Sequence, residues 1–415
     1  MINQSVIKAL GKTRDSFFLY DQTTILDRIS RLREDFPGVS FLYSVKANPH
    51  PQVLRTIFGA GIGADAASLG EVEMAASLGL GREDIQFSAP GRSDAALEGA
   101  WDRAVITADS LYEVRRLADM ARRRGEPIDI GLRVNPAFGF DSPDAAPNKF
   151  GVDEEQIIAA APWIRQEPYL RIVGFHIHLK SQERRKEVLL AYYKNCLSVA
   201  MELQAVLGCE LEFINLGSGI GIPYGTGDTP LDTVGLGRDL TELWGRCKKF
   251  FPKARLCLET GRFLVGQSGG YVTRVMDKKV SQGKIFLILN NTLNGFLRPS
   301  LARLVEFYAG AEVPVGTEPL FTQSDAFAFL PIPKRGETEV VTLAGNLCTG
   351  ADVMARDCLL PRMEPGDLVV VTNAGSYAAV LSPMQFSSQV PPEELFLSAE
   401  GQVLDWEGRI IDAQS

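Results

Sequence analysis

The segment FLYSVKANPH, residues 41–50, carries Lys46 to the end of an apolar run where the chain should still be buried. An unpaired interior ammonium is costly, and the relief is a lowered pKa or a covalent or ionic partner. The plain alternative is a stem that packs while the charged head reaches water. A second segment, GFHIHLKSQ, sets His176 and His178 two apart, which on a strand directs both to one face. Such a pair can begin a metal site, but further ligands are needed and the chain's remaining histidine is His50, so structural histidines remain open. In NLGSGIGIPY, glycines 217, 219 and 221 follow an apolar run with a spacing that is not GxGxxG. A tight turn of this kind is either purely structural or a nest of backbone N–H groups suited to one phosphate. ETGR sets Glu259 and Arg262 three apart, as a surface ion pair or as holders of a protonated nitrogen and a phosphate.

The elements that must position these residues repeat one phrase between about residues 40 and 265. Short β-rich apolar runs end in polar residues or glycine, and amphipathic helical stretches such as SLGEVEMAASLGL and SLYEVRRLADMARRRGE lie between them. The runs begin at residues 41, 62, 85, 104, 128, 171, 213 and 255. This alternation predicts a parallel (β/α)8 barrel, with a doubly wound open sheet as the alternative. On a barrel, Lys46, Asp65, Arg133, His176, His178, the glycines around Ser218, Glu259 and Arg262 all fall at strand C-terminal ends, around one mouth. After residue 265 the strand-like runs lose their helices, which predicts an all-β domain that SFFLYD at 16–21 joins. The expected division is a barrel over residues 26–264 and a β domain from 1–25 and 265–415.

Composition narrows the partners. A net charge of −8 argues against nucleic acid, and 45% hydrophobic with 23% charged residues is ordinary for a soluble protein. Six scattered cysteines without a CxxC pair suggest reduced thiols and a cytoplasmic home. No apolar stretch suits a signal peptide or a membrane span.

A lysine amine, a nest for a single phosphate and a carboxylate facing a cationic nitrogen are the requirements of pyridoxal phosphate. At this point the chain resembles the fold-type III pyridoxal-phosphate-dependent amino-acid decarboxylases, the group containing diaminopimelate and ornithine decarboxylases. The resemblance runs in order through FLYSVKAN, ADAASLGEVE, RVNP, NKFG, HIHLKSQ, NLGSGIGIPY, ETGR, LRP, GNLCTGADVMARD and AGSYAAVLSPMQF. It implies a cofactor-binding barrel plus a β domain, an alanine racemase-like fold. It implies Lys46 as the Schiff-base lysine, His178 stacked on the cofactor ring and Glu259 paired with the pyridine nitrogen. Ser181, Gly217, Ser218, Gly219, Arg262 and Tyr377 would cradle the phosphate, with Asp65, Glu71, Arg133 and Lys149 in supporting positions. Cys348 matches the catalytic cysteine that returns a proton to Cα and is reached from a second subunit, so two sites would form across a homodimer. Asp352, in the same motif, would help shape that interface. Arg298, in the RP motif, would grip a carboxylate, and Thr349, Asp352 and Tyr377 complete the implied substrate contacts.

Four departures bear on the substrate. Lys180 replaces the family's usual glycine after the histidine motif. Cys348-Thr349-Gly350 stands where diaminopimelate decarboxylases typically show Cys-Glu-Ser. Asn290 or Asn291 stands where an aspartate is common, and Ala302 where a tyrosine is expected after the RP motif. Two lost anions and one added cation shift the expectation from a diamine tail toward an acidic or bulky one. The expected function is therefore a specialised amino-acid decarboxylase, resembling those of siderophore or other secondary-metabolite pathways, acting on a carboxylate-bearing conjugate or a carrier-bound amino acid. Diaminopimelate decarboxylation is the second reading; a racemase of the same fold type and a cofactor-free regulatory relative are the others.

Overall fold

The computed structural model describes residues 4–217, 219–225, 227–309 and 324–411. Strand β1 (Ser16–Asp21) comes first, and each of the eight apolar runs then becomes a parallel strand. These are β2 (Ser40–Ser44), β3 (Gly63–Ala66), β4 (Ile85–Ser88), β5 (Val105–Ala108), β6 (Ile128–Asn135), β8 (Leu170–His176), β9 (Phe213–Asn215) and β10 (Arg255–Thr260). The two-residue β7 (Val152–Asp153) pairs with β6 outside the ring. Hydrogen bonding runs β2-β3-β4-β5-β6-β8-β9-β10 and returns from β10 to β2, closing an eight-stranded barrel. Strands buried on both faces read as continuous apolar runs, which is why these were visible in the sequence.

The barrel floor is filled by Phe213 against Leu42, Val105, Val173 and Cys257. Its ring occupies space that Gly131 and Gly174 leave open: a Cβ on Gly131 would come within 2.8 Å of Phe213 Cζ, and one on Gly174 would overlap the ring. Serines cap the helices that follow β3 and β5. Ser68 and Ser110 accept the N–H groups of Glu71 and Glu113, and each glutamate turns back to a backbone N–H before its helix, of Ala67 and Asp109 respectively.

The second sheet has ten strands: β1 with β11 (Gly269–Ser281), β12 (Lys284–Leu289), β13 (Phe329–Ile332), β14 (Thr338–Gly345), β15 (Val353–Pro361), β16 (Leu368–Val371), β17 (Glu393–Leu397), β18 (Val403–Leu404) and β19 (Ile410–Ile411). Strand β1 lies between β11, antiparallel, and β17, parallel. The domain is mostly sheet, not all-β: a 13-residue helix, Leu297–Ala309, packs on β15. Among the described residues, no helix is long and apolar enough to cross a membrane.

The two domains meet beside the turn that carries Lys46. Asn48 Nδ2 donates to the Gly375 carbonyl at 2.9 Å, and Tyr377 N–H donates to the Ala47 carbonyl at 2.8 Å. His50 is buried here among Tyr20, Phe396 and Trp406. Its Nδ1 accepts the Gln52 N–H at the start of the helix Pro51–Gly59, so the ring must be neutral there. Burial pushes its pKa from 6.5 down to about 4. Between those values the unfolded chain takes up a proton that the folded chain refuses, so this contribution is complete above pH 6.5 and lost as pH falls toward 4. The loss is expected to reach about 3 kcal/mol. His50→Asn keeps a capping acceptor without the titration, and urea unfolding at neutral and acidic pH should show a shallower acid loss than in the native chain. Equal acid losses in the two proteins would show that His50 is not the group responsible.

Candidate active site

Lys46 sits on the single turn Val45–Ala47 that leaves β2. The buried position anticipated for it is instead open to the barrel mouth: its side chain is 47% exposed, and Nζ lies 3.4 Å from Asp65 Oδ2. Asp65, on β3, is 1% exposed and accepts from Ser44 Oγ and Ser88 Oγ, each at 2.9 Å. The Asp65 carboxylate holds the Lys46 ammonium above its usual value, against the opposing effect of desolvation.

Glu259 lies within β10, not past its end, and forms no surface pair with Arg262. Its Oε1 accepts from Asn215 Nδ2 at 2.9 Å and lies 2.9 Å from His176 Nε2, without the alignment of a hydrogen bond. Burial pushes its carboxyl up, yet His176, His178 and Lys46 overcome this and hold it well below the usual carboxylate range. His178 follows β8 with its ring 6.5 Å from that of His176, and its Nε2 lies 3.4 Å from Ser181 Oγ. Burial lowers the His178 pKa to about 3, so the ring is neutral at physiological pH and presents an uncharged flat face. Among the described residues no group of three or more His, Cys, Asp or Glu is placed to hold a metal.

The glycine-rich turn closes against this pair. Gly217 has φ +67°, and a Cβ there would come within 2.5 Å of His178 Nδ1. Ser218 lies outside the described residues. A Cβ on Gly219 would overlap Leu189. Beside the turn stand two buried guanidiniums. Arg262 is 5.4 Å from the Tyr377 ring centroid, and Arg298 is 5.4 Å from that of Tyr224 and 5.5 Å from that of Phe327. Arg298 Nη1 donates to the Ser376 carbonyl at 3.0 Å, while its Nε has no partner among the described residues. Neither arginine has a carboxylate within ion-pair distance among the described residues. The two cations pull the Tyr224 hydroxyl down in pKa although burial alone would raise it. Two buried positive charges with only phenols and carbonyls for company form a site that lacks an anion. Tyr377 completes it, at φ +52°, a left-handed conformation of the kind that recurs at ligand clamps. Amine, buried carboxylate, glycine turn and the Arg262 guanidinium beside Tyr377 together fit pyridoxal phosphate, and Arg298 leaves a second cation for another anion.

The supporting residues are near. Arg133 lies 3.7 Å from Asp109 and stacks over Phe150 at 4.4 Å, with Lys149 4.8 Å from the same ring. Glu71 is engaged at its helix cap. Cys348 and Thr349 occupy an outward turn between β14 and β15, with Cys348 exposed. Asp352 lies beneath it, buried, accepting from Thr292 Oγ1, from Leu293 N–H at 3.0 Å and from Leu347 N–H at 3.0 Å. Lys180 is not a free cation: its Nζ lies 3.2 Å from Asp141 and 3.5 Å from Glu183. Sequence reasoning missed Asn215, Ser44, Ser88 and Tyr224. Asn215 had a signal, standing two residues before the first glycine of the turn.

Residues 22–266 match the family model described as pyridoxal-dependent decarboxylase, pyridoxal binding domain. The chain is 29% identical over 406 residues to the L-glutamyl-(BtrI acyl-carrier protein) decarboxylase of Niallia circulans, covering 95% of this chain and 91% of that protein. It is 30% identical over 401 residues to the diaminopimelate decarboxylase of Methanothermobacter thermautotrophicus, covering 93% and 87% respectively. The crystal structure of diaminopimelate decarboxylase from Helicobacter pylori complexed with L-lysine matches the fold with a TM-score of 0.81 at 25% identity, over 98% of this chain and 97% of that one.

Proposed function

Because the chain belongs to the pyridoxal-dependent decarboxylases, carboxy-lyases that use pyridoxal phosphate, we propose that it removes the α-carboxylate of an amino acid held in a larger, acidic or carrier-bound conjugate. Lys46 would anchor the cofactor. Gly217, Ser218 and Gly219 of the turn, with Ser181, Arg262 and Tyr377, would hold its phosphate. His178 would lie against the ring and Glu259 would accept from the ring nitrogen. When bound, pyridoxal phosphate supplies an electron-withdrawing ring that stabilises the charge left on Cα as carbon dioxide departs. Asp65 steers the Lys46 amine, its own orientation fixed by two serine hydroxyls. Arg298, whose Nε points at no partner among the described residues, would grip a substrate carboxylate. Two copies of the chain would pair so that the exposed Cys348 of the partner subunit returns the proton to Cα.

The observation that carries the substrate reading is the outward turn: Thr349 and Gly350 offer no anion to a distal ammonium group, which leaves room for a longer tail. The Niallia circulans relative, named for a glutamyl group on a carrier protein, points the same way. Lys180 adds less than its charge suggests, since Asp141 and Glu183 already engage it. Carbon dioxide release should be measured on L-glutamyl carrier-protein thioester, citrate-type conjugates, diaminopimelate, lysine and ornithine. At least one conjugate is expected to exceed diaminopimelate by about 100-fold in kcat/KM. Diaminopimelate ahead by a similar margin would replace this reading with lysine biosynthesis. On the best substrate, Cys348→Ala should keep the coloured cofactor and lose about 10-fold or more in clean amine formation; unchanged turnover would remove the role given to the thiol.

A further inference from the structure

Asn215 ends β9 with a fully buried side chain inside the barrel. Its Oδ1 accepts the Gly217 N–H at 2.9 Å, and its Nδ2 donates to Glu259 Oε1 at 2.9 Å and to Gln86 Oε1 at 2.8 Å. The backbone doubles the link, since the Glu259 N–H donates to the Gly217 carbonyl at 2.8 Å. The turn sits close to the histidine, since a Cβ on Gly217 would come within 2.5 Å of His178 Nδ1. The amide has one workable orientation: exchanging its oxygen and nitrogen would face donor with donor at Gly217 and acceptor with carboxylate at Glu259.

We infer that Asn215 is a positioning residue that sets the distance between the two ends of the cofactor site, holding the glycine turn for the phosphate and the Glu259 carboxylate for the ring nitrogen. This rests on the functional reading above and deepens it. Asn215 and His176 both approach Oε1 of Glu259, so Oε2 is the oxygen that would be left to accept from a ring nitrogen. The link makes the two ends interdependent: a shift of the glycine turn reaches the strand through the Gly217–Glu259 backbone bond and the carboxylate itself through the Asn215 amide.

Two variants separate the ends. Asn215→Asp keeps an acceptor for the Gly217 N–H but sets a second carboxylate against Glu259, whereas Asn215→Leu removes all three side-chain bonds. The measurements are the visible absorption of the holoenzyme across about pH 6 to 9, the affinity for pyridoxal phosphate on recombination, and steady-state kinetics. Asn215→Asp is expected to bind the cofactor within about threefold of the native affinity, while its absorption band becomes pH-dependent and kcat falls about tenfold or more with KM little changed. Asn215→Leu is expected to lose about tenfold or more in cofactor affinity as well. Should the leucine variant fail to fold, the aspartate variant decides alone. An Asn215→Asp enzyme with the native band, pH profile and kcat overturns the inference. A native protein that takes up no coloured cofactor overturns the functional reading instead, so the two failures are distinct.

Discussion

A Lys46→Ala protein should purify without visible cofactor absorption and with decarboxylation reduced by about a thousandfold or more. The geometry gives that result a chemical cause. Lys46 is the amine at the mouth beside Asp65, and its removal leaves Asp65 with both serine hydroxyls, so the buried carboxylate keeps hydrogen-bond donors. Because the Lys46 side chain is half exposed, no cavity opens in the packed core when it is truncated. Urea unfolding should therefore stay close to that of the native chain while the spectrum changes completely. A persisting visible band, or retained turnover, would place the anchoring amine elsewhere and remove the basis of the whole site.

Glu113→Gln should cost about 3–5 kcal/mol of stability, the penalty for leaving a buried charge without its partner. Arg92 and Glu113 form a two-pronged pair, Nε to Oε1 at 3.1 Å and Nη2 to Oε2 at 2.6 Å, with both side chains almost fully buried. Arg92 also donates to the Phe87 and Thr107 carbonyls, each at 2.6 Å, which ties together the mouth ends of β4 and β5. Glu113 caps the Asp109 N–H, and Asp109 in turn faces Arg133. The urea midpoint is the measurement, and cofactor affinity should weaken with it because Arg133 loses its neighbour's fixed position. A midpoint within about 1 kcal/mol of native would mean that the glutamine re-forms the network as a neutral partner.

Much of this was legible in the sequence because a parallel barrel writes its strands as uninterrupted apolar runs and places its chemistry where they end. Lys46, Asp65, His178, Glu259 and Arg262 stood at those ends, and the structure gathers them around one mouth. What stayed hidden depended on contacts across the ring. Ser44 and Ser88 are unremarkable on their own strands, and only their convergence on Asp65 from either side gives them meaning. Asn215 looked like the first residue of a turn, because its bonds to Glu259 and Gln86 join three different strands. The helix Leu297–Ala309 was masked by Pro299, which a first helical turn tolerates but which ends a strand pattern. Asp352 was grouped with its motif at an interface, and what its sequence did not show is the support that its carboxylate gives the turn above.

That support separates folding from selectivity. Asp352 anchors the base of the turn through Thr292, Leu293 and Leu347, while a Cβ on Gly350 would meet nothing within 4 Å. Position 350 is thus free to take a side chain with little penalty to the fold beneath it, while at 349 a serine would keep the bond that Thr349 Oγ1 accepts from the Ala351 N–H. If the turn meets the substrate tail as proposed, a lineage would retune selectivity at residue 350 and leave the barrel chemistry untouched.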